Sequence, residues 1–262
     1  MGGTDGPRVA GNRAARAGGN GARRAAGNGA GRAVRDHAAR AVGLRQRALG
    51  SAYDRITATV DGLADADLLR PTRCRGWLVV DLLQHLVLDA QRALVALASP
   101  AEGPADVDGV SYWRSPGDPD EGRHATWVRR SAAAFDRPRG VVRLWTDTAP
   151  AAVRAAAAAD PHGYLATQGH VLAVPEFLAT LVTEAVVHHL DLTVELPDAP
   201  GPEPGGVTIA VATLDGLLSD EAIRPADWSD VDYLLKGTGR APLTAHDRMV
   251  LGEAAGWFPL LG

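Results

Sequence analysis

Residues 78–98 read LVVDLLQHLVLDAQRALVALA. Twenty-one residues without Gly or Pro, rich in Leu and Ala, are too long for a strand and form a helix. The run follows a break at Pro71 and Gly76 and stops at Ser99-Pro100, where proline bars continuation. Its faces should be buried, yet His85 stands in the middle of it, with Asp81 and Asp89 four residues to either side.

The same reading extends outward. Val42, Leu44, Leu49, Tyr53, Ile56, Val60 and Leu63 recur at roughly helical spacing, predicting a helix over 39–69. After 78–98 comes a Gly/Pro/Asp-rich loop, 102–122, containing Tyr112 and Trp113. Helices are expected at about 121–137 and at 141–159, the latter split or restarted near Pro150. Residues 162–174 read as irregular or briefly extended. Pro175 suits the first turn of a helix running to about Leu196. A loop over 198–206 and a helix over 207–223 precede a short C-terminal region. Strand signals are scarce, so the fold class expected is all-α, a helix bundle in one domain spanning 39–262.

Residues 1–38 are expected to stand apart as a disordered extension. Over 1–35, Gly, Ala and Arg supply 26 of 35 residues, too little apolar surface to offset the entropy of ordering. Arg23-Arg24 is followed by no apolar run of the kind an export signal carries. From Met1 to Leu49, ten Arg oppose only Asp5 and Asp36, or +8, against a whole-chain net charge of −4. The remainder, with 17 basic and 29 acidic residues, stands at −12 and excludes a dedicated nucleic-acid-binding domain. A basic arm that binds anions nonspecifically is one reading of the head; an extension without a role of its own is the preferred one. No stretch approaches the roughly 20 apolar residues of a membrane helix. One cysteine, Cys74, rules out internal disulfides and cysteine-based metal clusters.

In the helix after Pro175, Phe177, Leu181, Glu184, His188, Asp191 and Leu192 share one stripe at i, i+3, i+4 spacing. A buried carboxylate and imidazole need partners. Joined to His85, the pair Glu184 and His188 makes a two-histidine, one-carboxylate set, the ligand count of a catalytic zinc site with an open fourth position. Asp191, three residues past His188, is placed to hold the second imidazole nitrogen. The alternative is that His85 is a satisfied core histidine and Glu184–His188 an ordinary helix pair.

Resemblance bears on that choice. Cys74-Arg-Gly-Trp77-Leu-Val-Val-Asp81-Leu-Leu-Gln-His85-Leu resembles the C-x-G-W-x-V-x-D-L-x-x-H-L signature of DinB-like proteins. More closely, it resembles the mycothiol-dependent maleylpyruvate isomerase branch, whose E-x-x-x-H-x-x-D-L segment is matched by Glu184-Ala-Val-Val-His188-His-Leu-Asp191-Leu. Leu235-Lys-Gly-Thr-Gly-Arg240-Ala-Pro-Leu and Trp257-Phe-Pro-Leu-Leu are similar to the end of actinobacterial single-domain members, so the resemblance covers about Arg45 to Gly262. It implies a DinB-like four-helix bundle in which His85, Glu184 and His188 bind a divalent metal, usually zinc, with nickel or iron also suited to such ligands. It implies mycothiol as thiol co-substrate and a small electrophilic molecule as its partner, in the cytoplasm, with neither nucleic acid nor membrane. About 60 residues follow Pro200, where the isomerase proper carries a further domain. That favours a thiol S-transferase, with a maleylpyruvate-type isomerase, a zinc-water hydrolase and a non-catalytic metal-binding bundle as alternatives.

Other residues are read more plainly. Arg240 either binds a carboxylate through its planar fork, as a catalytic or cofactor-binding group, or forms a salt bridge. Trp77 anchors the helix start beside the cofactor site. Cys74 has no histidine close in sequence and is assigned to packing. His189, about 100° around the helix from His188, is assigned to the surface. His124, His162, His170 and His246 have no distinctive spacing, and Tyr112 and Trp113 are candidates to roof the pocket.

Overall fold

The computed structural model describes residues 1–2, 19–114, 121–196, 198–219 and 222–261, with side chains from Arg40 onward, Glu121 apart. Nine helices appear among them. They are α1 (Gly19–Val60), α2 (Asp65–Leu68), α3 (Val79–Leu97), α4 (Glu121–Ala132), α5 (Arg139–Ala158), α6 (Val174–Leu192), α7 (Pro204–Leu218), α8 (Asp230–Gly237) and α9 (Ala245–Leu251). Two compact units divide at Arg40, Met1–Arg40 and Ala41–Gly262. Of the extension expected to be disordered, residues 3–18 lie outside the described residues. From Gly19 the backbone is helical instead, because alanine and arginine are strong helix formers whether or not a face is buried.

The second unit is built around α3, which packs against α4, α5 and α6; α7 covers α6, and α8 covers α7. Asp81 explains how α3 starts. Its carboxylate accepts the Leu78 amide at 3.0 Å, satisfying an N-terminal donor that the helix itself leaves free. Helix α1 joins α5 through Trp145, which is fully buried, meets the Tyr53 ring edge-on at 5.0 Å and donates Nε1–H to Thr57 Oγ1 at 2.9 Å. Gly206 lets α7 approach α6 closely, since a Cβ there would stand 2.8 Å from Val186.

Two expectations are corrected and one is filled out. Helix α5 is continuous through Pro150, whose ring faces solvent while Trp145, Ala149, Ala152 and Ala156 on the other side are buried and hold the helix together. The stretch 162–174, read as irregular or briefly extended, holds the short strands β2 (Tyr164–Thr167) and β3 (His170–Ala173). A further strand, β1 (Pro100–Ala101), just after α3, pairs with β2 to make a three-stranded antiparallel sheet in the order β1-β2-β3. The C-terminal region is no appendage: Trp228, Tyr233, Leu234, Leu251 and Ala254 belong to the same hydrophobic core as α3 and α6. Among the described residues no helix is long and apolar enough to cross a membrane.

Candidate metal centre

The turn before α3 is closed by its own backbone. Thr72 donates its amide to Trp77 O at 3.1 Å, Val79 donates to Arg70 O at 2.9 Å, and Gly76 takes φ +79, a conformation that suits glycine. The Arg73 amide then donates to Asp191 O at 3.1 Å, fastening the turn to the end of α6. Cys74 is thereby presented beside His188, 114 residues away in sequence, and Trp77 beside His85.

Helices α3 and α6 bring His85, Glu184 and His188 together, with one donor atom from each lying within 4.8 Å of the others. His188 Nε2 lies 3.0 Å from Glu184 Oε2, and the His85 and His188 rings meet edge-on at 4.8 Å. Asp191 takes the other side of His188, with Nδ1–H donating to Oδ2 at 3.0 Å. Asp191 is fully buried and is a hub: Oδ2 also accepts Cys74 Sγ–H at 3.3 Å and the Arg240 guanidinium at 3.1 Å. The three donors front a cavity of about 400 Å³ walled by Trp77, Trp113, Val187, Arg240 and Leu261.

The charges follow from these contacts. Burial works against an imidazolium at His188, but hydrogen bonds to Asp191, Cys74 and Glu184 carry its pKa well above the usual value. Burial likewise works against the Glu184 carboxylate, and the His188 hydrogen bond and charge override it, bringing the pKa down to about 2. His85 is held below the usual value chiefly by burial, with Asp89 pulling the other way. Glu184 is thus anionic and His85 neutral, each with a lone pair to offer a cation.

A second group, Cys74, His188 and Asp191, also has its donor atoms within 4.8 Å. Its carboxylate is already engaged by an imidazole, a thiol and a guanidinium, so a cation there would have to displace Arg240. Among the described residues the hydrogen-bond partner of Glu184 is His188, a contact that a cation can replace. The donor set of His85, Glu184 and His188 therefore fits a divalent metal, and Asp191 fits the partner that orients a ligating histidine.

A family model described as the mycothiol maleylpyruvate isomerase N-terminal domain matches residues 49–193, more than half of the chain and both helices that carry the triad. The chain belongs to that family. Neither a curated protein nor a solved structure matches it. Arg240 and Leu261 of the cavity wall lie beyond the stretch that the mycothiol maleylpyruvate isomerase N-terminal model matches.

The remaining candidates fall into place around the cavity. Trp77 stands 5.4 Å from the His85 ring, half-buried, as both wall and anchor. The carboxylate that Arg240 grips is Asp191. Trp113 lines the cavity, whereas Tyr112 is turned to Arg92 and Gln168. His189 is buried, not at the surface, because α6 is covered on nearly all sides; its Nε2 meets Pro200 O at 2.8 Å. Cys74 lines the site as well as packing. His124, which sequence spacing did not single out, lies with Nε2 3.4 Å from His85 Nδ1. His162, His170 and His246 do not line the cavity.

Proposed function

We propose that the protein is a metal-dependent thiol transferase, with His85, Glu184 and His188 holding a divalent cation, zinc foremost, at the mouth of the cavity. One observation carries this: two imidazoles and a carboxylate from separate helices share a 4.8 Å cluster facing the cavity, in a chain of the mycothiol maleylpyruvate isomerase N-terminal family. The family's description supports mycothiol as the thiol. Helices α1, α3, α5 and α6 would be the four helices of the DinB-like bundle.

When bound, the cation supplies Lewis acidity that brings a thiol's ionisation into the neutral range. The protein's own groups do the rest. Asp191 keeps the Nδ1 proton of His188, so that Nε2 is the ligand face. Arg240 balances the charge of Asp191, while Trp77, Trp113 and Val187 restrict water and give a second substrate an apolar surface. The thiolate sulfur adds to one carbon of an electrophilic double bond, the π pair moves onto the substrate, and the substrate takes up one proton in place of the one the thiol released.

The family description favours one second reading, isomerisation. Both readings begin with the same addition; transfer keeps the new C–S bond, and isomerisation breaks it after rotation about the former double bond. The test is metal analysis of the purified protein, followed by an assay with mycothiol and electrophilic acceptors. Stoichiometric metal and a saturable dependence of rate on thiol are expected. Consumption of one thiol per turnover means transfer; recovery of the thiol means isomerisation. A protein that takes up no metal when zinc is supplied would falsify the proposal, and a rate independent of thiol would point to a zinc-water hydrolase.

A further inference from the structure

Both ring nitrogens of His85 face a partner. Nε2 stands 3.5 Å from Asp89 Oδ2, one helical turn along α3. That oxygen is buried and, among the described residues, makes no hydrogen bond, so the His85 imidazole is the polar group nearest to satisfying it, while Arg92 holds the other carboxylate oxygen at 3.1 Å. Asp89 is thus placed to keep the proton on Nε2, leaving Nδ1 as the nitrogen with a free lone pair. Nδ1 is the atom that His124 approaches, with Nε2 to Nδ1 at 3.4 Å and the rings edge-on at 5.6 Å.

His124 comes from the first turns of α4, 39 residues from His85, so neither local geometry nor a helix pair accounts for the encounter. Its other ring contact is Trp127 at 6.2 Å. Ligands about 2.0–2.1 Å from a tetrahedral zinc stand roughly 3.3–3.4 Å from one another, the separation of these two nitrogens. We propose that His124 is a further ligand of this metal centre, filling the fourth position in the resting protein and yielding it to the incoming thiol. His124 stands outside the 4.8 Å group, and as an exposed side chain on a helix surface it can both swing in and withdraw. With a metal held there, the site would have four protein ligands when His124 is in and three when it is withdrawn. This rests on the metal-centre reading of the preceding subsection.

X-ray absorption of the zinc-loaded full-length protein counts imidazole ligands directly. Three are expected in the wild type and two in His124→Ala, whose exposed position leaves the fold intact. Chelator competition should show zinc affinity weakened in the variant by at least about tenfold, the lower end of what loss of a metal-supporting partner costs. In the cobalt-substituted protein the visible absorption should shift on the same substitution. Two imidazoles in the fully loaded wild type, with a spectrum unmoved by His124→Ala, would overturn the inference while leaving the metal centre standing. A wild type that binds no zinc would overturn both.

Discussion

At the residue scale, Asp191 does most to organise the centre. It faces an imidazole, a thiol and a guanidinium at once, and burial leaves it no water to replace any of them. Asp191→Asn should release the His188 tautomer and weaken metal affinity about 10- to 100-fold in a chelator titration. Arg240→Ala leaves the carboxylate buried beside one fewer cation, and urea unfolding should show a loss of about 3–5 kcal/mol. His85→Ala should abolish stoichiometric metal by elemental analysis while circular dichroism stays helical. These roles were unevenly legible in the sequence. Glu184, His188 and Asp191 recur on one helical face, so spacing alone aligns them. Cys74, Arg240 and His124 lie 117, 49 and 39 residues from the partners they meet, and no local periodicity reports such distances.

At the scale of elements, helices were the easier part. The apolar run of 78–98 is α3 within a residue at each end, and Val42, Leu49, Tyr53, Ile56 and Val60 form the buried face of α1. Leu44, by contrast, is exposed, and the helix expected to reach 69 stops at Val60, with the short α2 after it. Boundaries at α6 and α7 shifted by several residues, and Pro150 failed to break α5, because tertiary packing outweighs one missing amide hydrogen bond when its ring faces solvent. The α1–α5 contact depends on Trp145, and Trp145→Ala should cost about 3–5 kcal/mol by denaturant unfolding. The C-terminal helices carry an acid-sensitive clasp. Burial disfavours the Asp247 carboxylate, but Lys236 at 2.8 Å, the Thr244 amide and Trp228 Nε1–H hold its pKa well below the usual range. Its stabilisation is complete above the unfolded carboxylate pKa, about 4, and fades as pH falls below that toward the folded value. Asp247→Asn should therefore flatten the loss of thermal stability between about pH 4 and 2, relative to wild type.

At the scale of the whole molecule, the described buried face of α1 begins at Val42, within the second compact unit. A chain starting at Ala41 should keep the thermal midpoint and metal stoichiometry of the full-length protein, by calorimetry and elemental analysis. It should also migrate as a more acidic species, since eight Arg and two Asp leave with residues 1–40. The C-terminal region has the opposite standing, for it completes both the core and the cavity wall. By itself the sequence determined the helical class and set Glu184, His188 and Asp191 on one helical face, because composition and periodicity act over a few turns of chain. Joining His85 to Glu184 and His188 as expected donors took the family resemblance. Only the tertiary structure decided what surrounds those donors. Which carboxylate Arg240 grips, why Cys74 faces the site and how His124 comes to His85 depend on helices packing across tens of residues, and burial, not spacing, makes those contacts binding.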